Sequence, residues 1–220
     1  MVQKIGFGLL WLGFSVYAFV FAPADQVNSL DLIQKLATMH WQGINPLIIA
    51  LFNLMGIWPM IYGSVLFADG CEQKIPAWPF ASLSFAFGAF ALLPYLVLRQ
   101  SPQPDLAGEC NRTLKFWDSR GLGIGLLVGA IALLTFGLSQ GDWIDFTQLW
   151  QTSRFIHVMS LDFCMLSLVF PALLIADAHR RGVSTQTPLF WSAALMPLLG
   201  PLIYLCLRPS LYGGASPTST

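Results

Sequence analysis

Six long apolar segments dominate the pattern of hydrophobic and polar positions along the chain. Each contains about 18–23 residues with almost no charge, and short stretches between them hold most of the charged residues. About 20 apolar residues in a helix cross a hydrocarbon core of about 30 Å. The pattern therefore predicts an all-α integral membrane protein with six transmembrane helices. The segments are Ile5–Ala22, Pro46–Ala68, Pro76–Leu98, Gly121–Leu138, Phe155–Ala176 and Pro188–Leu207.

The overall composition agrees with this pattern. Of the 220 residues, 55% are hydrophobic and 10% are charged, whereas soluble domains carry roughly 25% charge. The formal net charge is +0 and no basic run exceeds two adjacent residues, which argues against nucleic acid as a partner. The four cysteines form no Cys-x-x-Cys pair, so we expect no metal site and no disulfide framework.

Landmarks of the first half of the chain recur about 112 residues later. The prolines inside the second and fifth segments, and those that open the third and sixth, are each 112 residues apart. The third segment ends in PYLVLRQSP and the sixth in IYLCLRPS, which share an aromatic residue, two leucines and an arginine. Chance similarity between apolar helices is the alternative explanation. We interpret the pattern as two copies of one three-helix unit.

These copies define the predicted organisation. Three crossings per unit is an odd number, so the second copy would enter from the opposite side, as a 3+3 inverted-topology repeat. We expect the repeats at 1–100 and 118–212, a polar connecting loop at 101–117 and a disordered tail at 213–220. An amphipathic stretch at 27–39 should lie along the membrane interface. With six spans, basic residues divide seven to four between the two sides, which favours an outside N-terminus.

Two polar residues are predicted near the middle of the membrane. Asp162 lies eight residues after Arg154, or about 12 Å along a helix. An ionised aspartate there costs about 2.5–3.5 kcal/mol, so it must face protein, water or a partner. Asn53 lies at a similar depth in the second segment, and we expect it to be the hydrogen-bond partner of Asp162. A purely structural role, in which Asp162 holds a neighbouring helix, is the alternative.

Other candidate residues have weaker signals. Candidate contacts for a ligand or pigment are His157, His40 and Arg154, although an interfacial histidine with satisfied hydrogen bonds is the commoner case. The run DAHRR at 177–181 is interpreted as a solvated loop that sets topology. Small residues at regular spacing predict close helix packing. They are Gly121, Gly125 and Gly129 in the fourth segment and Ser84 and Gly88 in the third.

Three of the segments resemble an uncharacterised multi-pass membrane protein family of cyanobacteria and plant plastids. They are NPLIIALFNLMGIWPMIYG (45–63), KIPAWPF (74–80) and SRFIHVMSLDFCMLSLVFP (153–171). The similarity covers most of the chain from Asn45 to Arg208 and consists of whole helices without catalytic motifs. It implies a thylakoid or cyanobacterial plasma membrane and a link to photosynthesis.

Three functions remain open from the sequence. The first is a non-catalytic factor that assembles or stabilises a photosynthetic complex, with chlorophyll or carotenoid as a candidate ligand and subunits of that complex as candidate partners. The second is a small-solute or ion transporter that uses Asp162 and Asn53. The third is a pigment- or lipid-modifying enzyme, which is the least favoured because the chain lacks phosphate-binding, metalloprotease and serine-hydrolase motifs.

Overall fold

We describe residues 2–24, 29–70, 73–100 and 111–211 of the protein from a computed structural model. Over these ranges the chain is helical and has no strand. The helices are α1 (Val2–Val16), which continues as a π-helical turn over Tyr17–Phe21, α2 (Ser29–Ala37), α3 (Pro46–Gly70), α4 (Trp78–Phe87), α5 (Ala89–Leu98), α6 (Asn111–Trp117), α7 (Arg120–Gln140), α8 (Trp143–Thr152), α9 (Arg154–Arg180), α10 (Pro188–Leu195) and α11 (Leu199–Leu207). The predicted tail and residues 101–110 of the predicted loop lie outside the described residues.

Four helices are long and apolar enough to cross a membrane. They are α1 with its π-helical turn, of 20 residues, α3 of 25, α7 of 21 and α9 of 27. They coincide with the first, second, fourth and fifth apolar segments, so these four predictions are confirmed by helix length and composition. The described residues thus indicate an integral membrane protein.

The third apolar segment is not a single crossing helix. α4 and α5 are separated by Gly88, which has φ +49° and ψ −126°. Glycine adopts this backbone readily because it has no Cβ. α4 and α5 pack against each other as an antiparallel hairpin, with the rings of Phe80 and Tyr95 5.4 Å apart. Each arm has 10 residues, about 15 Å of helix, or half of a hydrocarbon core.

The sixth segment is interrupted in the same way. Between α10 and α11, Pro197 has no backbone N–H to continue the helix, and Leu198 has φ +60°. The two arms pack closely, since Gly200 lies against the backbone of Ser192 and Ala193. The prediction of six crossings is therefore wrong for the third and sixth segments. Both fold as re-entrant hairpins. The sequence pattern did not reveal them, because a local backbone reversal leaves the hydropathy of a segment unchanged.

α3 and α9 run side by side in the same direction. Near their starts, the rings of Phe52 and Phe155 are 6.4 Å apart. At their ends, Arg180 Nη2 lies 3.3 Å from Asp69 Oδ1. An inverted repeat would make these equivalent helices antiparallel, so the predicted inverted topology is wrong. With two crossings and one hairpin per half, the second half enters the membrane in the same direction as the first.

The bundle has two chemically different ends. The arginine end is where α3 and α9 finish, and it contains Asp69 and Arg180. Both hairpins start and finish there, since Arg99 after α5 contacts Asp69 and Arg208 after α11 contacts Asp177. The opposite end, where α3 and α9 begin, is called the amino end.

The two short helices α2 and α8 lie at the amino end. Leu36 of α2 is buried against the first turn of α3, in a cluster with Ile48 and Ile49. α2 falls within the predicted amphipathic stretch at 27–39, so its helical conformation is confirmed. α8 is joined to α3 by Asn45, whose Nδ2 donates to Asp145 Oδ2 at 2.8 Å.

The hairpins change the expected orientation. α1 begins at the arginine end, where Gly8 faces Val97, and finishes at the amino end, where Arg154 Nε donates to Pro23 O. In this topology nine of the eleven Lys and Arg residues lie towards the arginine end, and Lys35 and Arg154 lie at the other. The positive-inside rule then puts the arginine end and the N-terminus on the cytoplasmic side. This orientation is the reverse of the one expected from six spans. That expectation counted the two hairpins as complete crossings.

The glycines predicted to form packing seams have different surroundings. No atom of the described chain beyond the helix itself lies within 4 Å of a Cβ built at Gly121, Gly125 or Gly129. These three therefore do not form a seam within the described chain. The seam of α7 uses other glycines, since Gly123 contacts α11 and Gly137 contacts α3.

Candidate functional site

The tip of the first hairpin is held by a carboxylate from another helix. Asp162 Oδ1 on α9 accepts a hydrogen bond of 2.8 Å from the backbone N–H of Ala89, the first residue of α5. The N-terminus of a helix favours a negative charge because its N–H groups are unpaired and its dipole is positive there. Asp162 is only 5% exposed. Gly88 leaves room for this contact, because a Cβ there would overlap the carboxylate.

One of several cavities along the bundle adjoins this carboxylate. The cavity beside the first hairpin has a volume of about 660 Å³ and lies between α1, α2, α3, the α4–α5 tip and α9. Asp162 and Gly88 line it at the hairpin tip, and Arg154 and Ser29 line it at the amino end. Its walls are mainly aromatic and aliphatic. They include Trp11, Phe19, Phe52, Met55, Phe85, Phe87, Phe90, Phe155 and Val158.

The cavity opens towards the outside of the bundle. Phe19 of the π-helical turn is 72% exposed, and Phe85 and Phe87 of α4 are 54% and 57% exposed. In a membrane these side chains would face lipid. A largely apolar molecule could therefore enter from the bilayer without crossing water.

Asn53 does not form the hydrogen bond with Asp162 that the sequence predicted. Its Nδ2 donates to the carbonyl of Ile49, one turn earlier in its own helix, at 2.8 Å. The side chains that line the cavity from α3 are those of Phe52 and Met55 together with Gly56. The predicted pairing fails because the hairpin tip, which was expected to be part of a crossing helix, takes the position opposite Asp162.

Arg154 lines the cavity at the amino end. Its Nε donates to Pro23 O at 2.9 Å, which ties the end of the π-helical turn to the start of α9. No ion pair involving this guanidinium occurs among the described residues. Its two terminal nitrogens, Nη1 and Nη2, therefore remain as hydrogen-bond donors beside the cavity.

The histidines considered as ligand contacts are engaged within the protein. His157 Nδ1 lies 2.9 Å from the carbonyl of Trp150, and its Nε2 lies 2.8 Å from Tyr17 Oη. Because a carbonyl only accepts, Nδ1 carries the proton and Nε2 accepts from the tyrosine hydroxyl. His40 is exposed, and its Nδ1 lies 2.9 Å from Thr38 Oγ1. Neither histidine lines the cavity.

A buried charge network at the arginine end was missed by sequence reasoning. Asp69 at the end of α3 accepts hydrogen bonds from Tyr95 Oη and Arg99 Nε, both at 2.8 Å. The same arrangement occurs in the second half. Asp177 accepts from Tyr204 Oη at 2.8 Å and from Arg208 Nη1 at 3.2 Å.

The network corrects the interpretation of DAHRR as a solvated loop. The side chains of Asp177 and Arg181 are 0% and 1% exposed, and Arg181 Nε lies 2.7 Å from Asp177 Oδ2. Asp118, just before α7, pairs with Arg181 at 2.6 Å. Burial lowers the pKa of Arg208 from its ordinary value, and attraction to Asp177 opposes that shift. The repeated Tyr-x-x-x-Arg of PYLVLRQSP and IYLCLRPS was the available signal for this network.

The two halves differ at the hairpin tips. Counted with the offset that relates Asp69 to Asp177, the position equivalent to Asp162 is Leu54. The second tip therefore has no carboxylate at this position. The contact with a carboxylate is specific to the tip of the first hairpin, whereas the charge network is common to both halves.

No known protein family, curated protein or solved structure matches this chain. Among the described residues, no group of three or more His, Cys, Asp or Glu side chains is arranged to hold a metal ion.

Proposed function

We propose that this is a non-catalytic integral membrane protein that holds one amphipathic, mostly apolar molecule beside its first hairpin. We further propose that it thereby helps to assemble or stabilise a complex of a photosynthetic membrane. The single observation that supports the first part is the cavity of about 660 Å³ with aromatic walls and two charged groups, Asp162 and Arg154. Small-molecule sites are typically concave, mainly apolar and supplied with a few polar groups that orient the ligand.

The photosynthetic context rests on the family resemblance of the helical segments. Pigments and their precursors, including chlorophylls and carotenoids, are largely apolar and belong to the chemical class that such a cavity would accept. Both ring nitrogens of His157 are occupied, so we do not propose that this histidine ligates a pigment. The thylakoid or the cyanobacterial plasma membrane is the proposed location.

The test is purification from a cyanobacterial host in a mild detergent, followed by solvent extraction and mass spectrometry of bound molecules. Gly56→Leu is the key variant, because Gly56 lines the cavity and has no atom within 4 Å of a built Cβ. The added side chain should fill part of the cavity without straining the helix. Gly129→Leu is the matched control, since Gly129 is equally open but lies on the outer face of α7.

We expect a defined amphipathic molecule with the wild-type protein and the control, and its loss from Gly56→Leu. Co-purification of photosystem subunits would support the second part of the proposal. Equal recovery of the same molecules from both glycine variants would show that they are annular lipid, and the cavity proposal would be wrong.

A transporter is the second candidate, and the paired hairpins favour it. Helices that end near the middle of a membrane provide polar backbone groups at that depth, as in many transporter sites. Here the carboxylate of Asp162 would carry the solute or a coupling ion, and Asn53 would take no part because it bonds to its own helix. Uptake of labelled solutes into proteoliposomes, with and without an ion gradient, separates this candidate from a holding function.

A further inference from the structure

The charged groups of the cavity are at its two ends. Asp162 and Arg154 both line it, and they are eight residues apart on α9, which corresponds to about 12 Å along the helix axis. Between them the walls contributed by α9 are apolar, with Phe155, Val158 and Met159. A molecule that fills the cavity along α9 therefore meets one polar group at each end.

The two ends have opposite hydrogen-bonding character. Within the described chain, the Asp162 carboxylate accepts a hydrogen bond at Oδ1, from the backbone N–H of Ala89. Oδ2 lies beside Gly88 and is left as an acceptor. At the amino end of the cavity, Arg154 Nε donates to the carbonyl of Pro23, and the two terminal nitrogens are left as donors. The cavity thus has a hydrogen-bond acceptor at the hairpin tip and a cationic donor at the amino end.

We propose that the ligand is a bipolar amphiphile, with an anionic or acceptor head at Arg154, an apolar body, and a hydrogen-bond donor such as a hydroxyl at Asp162. This inference rests on the proposed holding function and adds the polarity and spacing of the ligand. The donor end of the ligand is placed at the first hairpin, because α9 carries Asp162 beside that tip, whereas α3 carries Leu54 at the equivalent position.

Three synthetic probes of similar size distinguish the ends. 12-Hydroxydodecanoate has both polar groups, dodecanoate lacks the hydroxyl, and 1-dodecanol lacks the carboxylate. Binding is measured with the full-length protein in lipid nanodiscs, as the probe-dependent rise in unfolding temperature, because a ligand that binds only the folded state stabilises it. A hydrogen bond to a charged group contributes about 1.5–3 kcal/mol, so each polar end should change affinity by about tenfold or more.

We expect wild-type protein to bind the hydroxy acid about tenfold more tightly than either single-ended probe. Asp162→Asn should remove the preference over dodecanoate and keep the preference over dodecanol. The asparagine carbonyl can still accept from Ala89, so the hairpin tip should remain in place. Arg154→Gln should have the converse effect, and it lies away from the tip, so it tests the proposal even if the first variant folds poorly.

The outcomes separate the two proposals. If no probe binds, or if Gly56→Leu leaves binding unchanged, the holding function itself is wrong. If Gly56→Leu abolishes binding but wild-type protein shows no preference among the three probes, the cavity holds apolar molecules and the bipolar ligand is wrong. A preference that survives both Asp162→Asn and Arg154→Gln would also overturn it, since other groups would then be responsible.

Discussion

Arg180 Nη2 lies 3.3 Å from Asp69 Oδ1, although the two residues are 111 positions apart. Arg180 ends α9 and Asp69 lies one residue before the end of α3, so this ion pair joins the corresponding ends of two equivalent helices. It requires that α3 and α9 cross in the same direction. This shared direction excludes an inverted relationship between the halves. It also places the ends of both hairpins on the same side of the membrane.

The first prediction concerns the charge network. Asp177→Asn should lower the free energy of unfolding in detergent micelles by about 3 kcal/mol, because it removes one partner of buried ion pairs and leaves Asp118 as the remaining carboxylate near Arg181 and Arg208. Asp31→Asn is the control, since its pair with Lys35 is exposed on α2 and should contribute below about 0.5 kcal/mol. Denaturant unfolding followed by tryptophan fluorescence measures both; equal effects would mean that the network is not buried in the membrane protein.

A second prediction concerns the hairpin tip. Gly88→Ala should destabilise the protein and displace the tip, because the new Cβ would overlap the carboxylate of Asp162 and because alanine is strained at φ +49°. Gly129→Ala should be neutral or stabilising by up to about 1 kcal/mol, since it is an open position inside a helix. A Gly88→Ala protein as stable as the wild type would show that the α4–α5 junction differs from the hairpin described.

The third prediction is the orientation. In a background without native cysteines, Thr185→Cys, between α9 and α10, should react with a membrane-impermeant maleimide only from the cytoplasmic side. Thr38→Cys, after α2, should react only from the opposite side. Both positions are exposed. The reverse labelling pattern would contradict the orientation from the nine basic residues, and labelling of both from one side would contradict the placement of the two ends.

The fourth prediction tests the role of His157. Tyr17→Phe removes the donor to Nε2 and should cost about 1 kcal/mol of stability, with no loss of any molecule that co-purifies with the wild type. Phe14→Leu in the same helix is the comparison, because Phe14 packs on Phe90 without a polar contact. If Tyr17→Phe instead releases a bound pigment while stability is unchanged, His157 has a ligand role that its hydrogen bonds do not reveal.

Much of the architecture was predictable from the sequence. The four crossing helices follow from uninterrupted apolar runs, because a bilayer selects for length and hydropathy alone. The helix within 27–39 follows from its amphipathic spacing. The doubled Tyr-x-x-x-Arg pattern was visible as a repeat. The charge network formed by this pattern was not predictable, because the partners Asp69 and Asp177 lie 26 and 27 residues away from their tyrosines.

The candidate site was predictable only in part. Asp162 stood out because a carboxylate in an apolar helix is costly, and this cost is independent of its neighbours. Its partner was not predictable, since Asn53 bonds to its own helix and the N–H of Ala89 reaches the carboxylate only because the chain reverses at Gly88.

The sequence by itself determined that the chain is helical, apolar and doubled, since these properties follow from composition and spacing. Only the tertiary structure decided that the third and sixth segments turn back, that the halves share one direction, and that Asp162 meets the tip of the first hairpin. The physical reason is that one residue with positive φ reverses a helix without changing its hydropathy. Such a reversal persists only when distant groups stabilise it, here Asp162 at the first tip and the arginines at the hairpin ends.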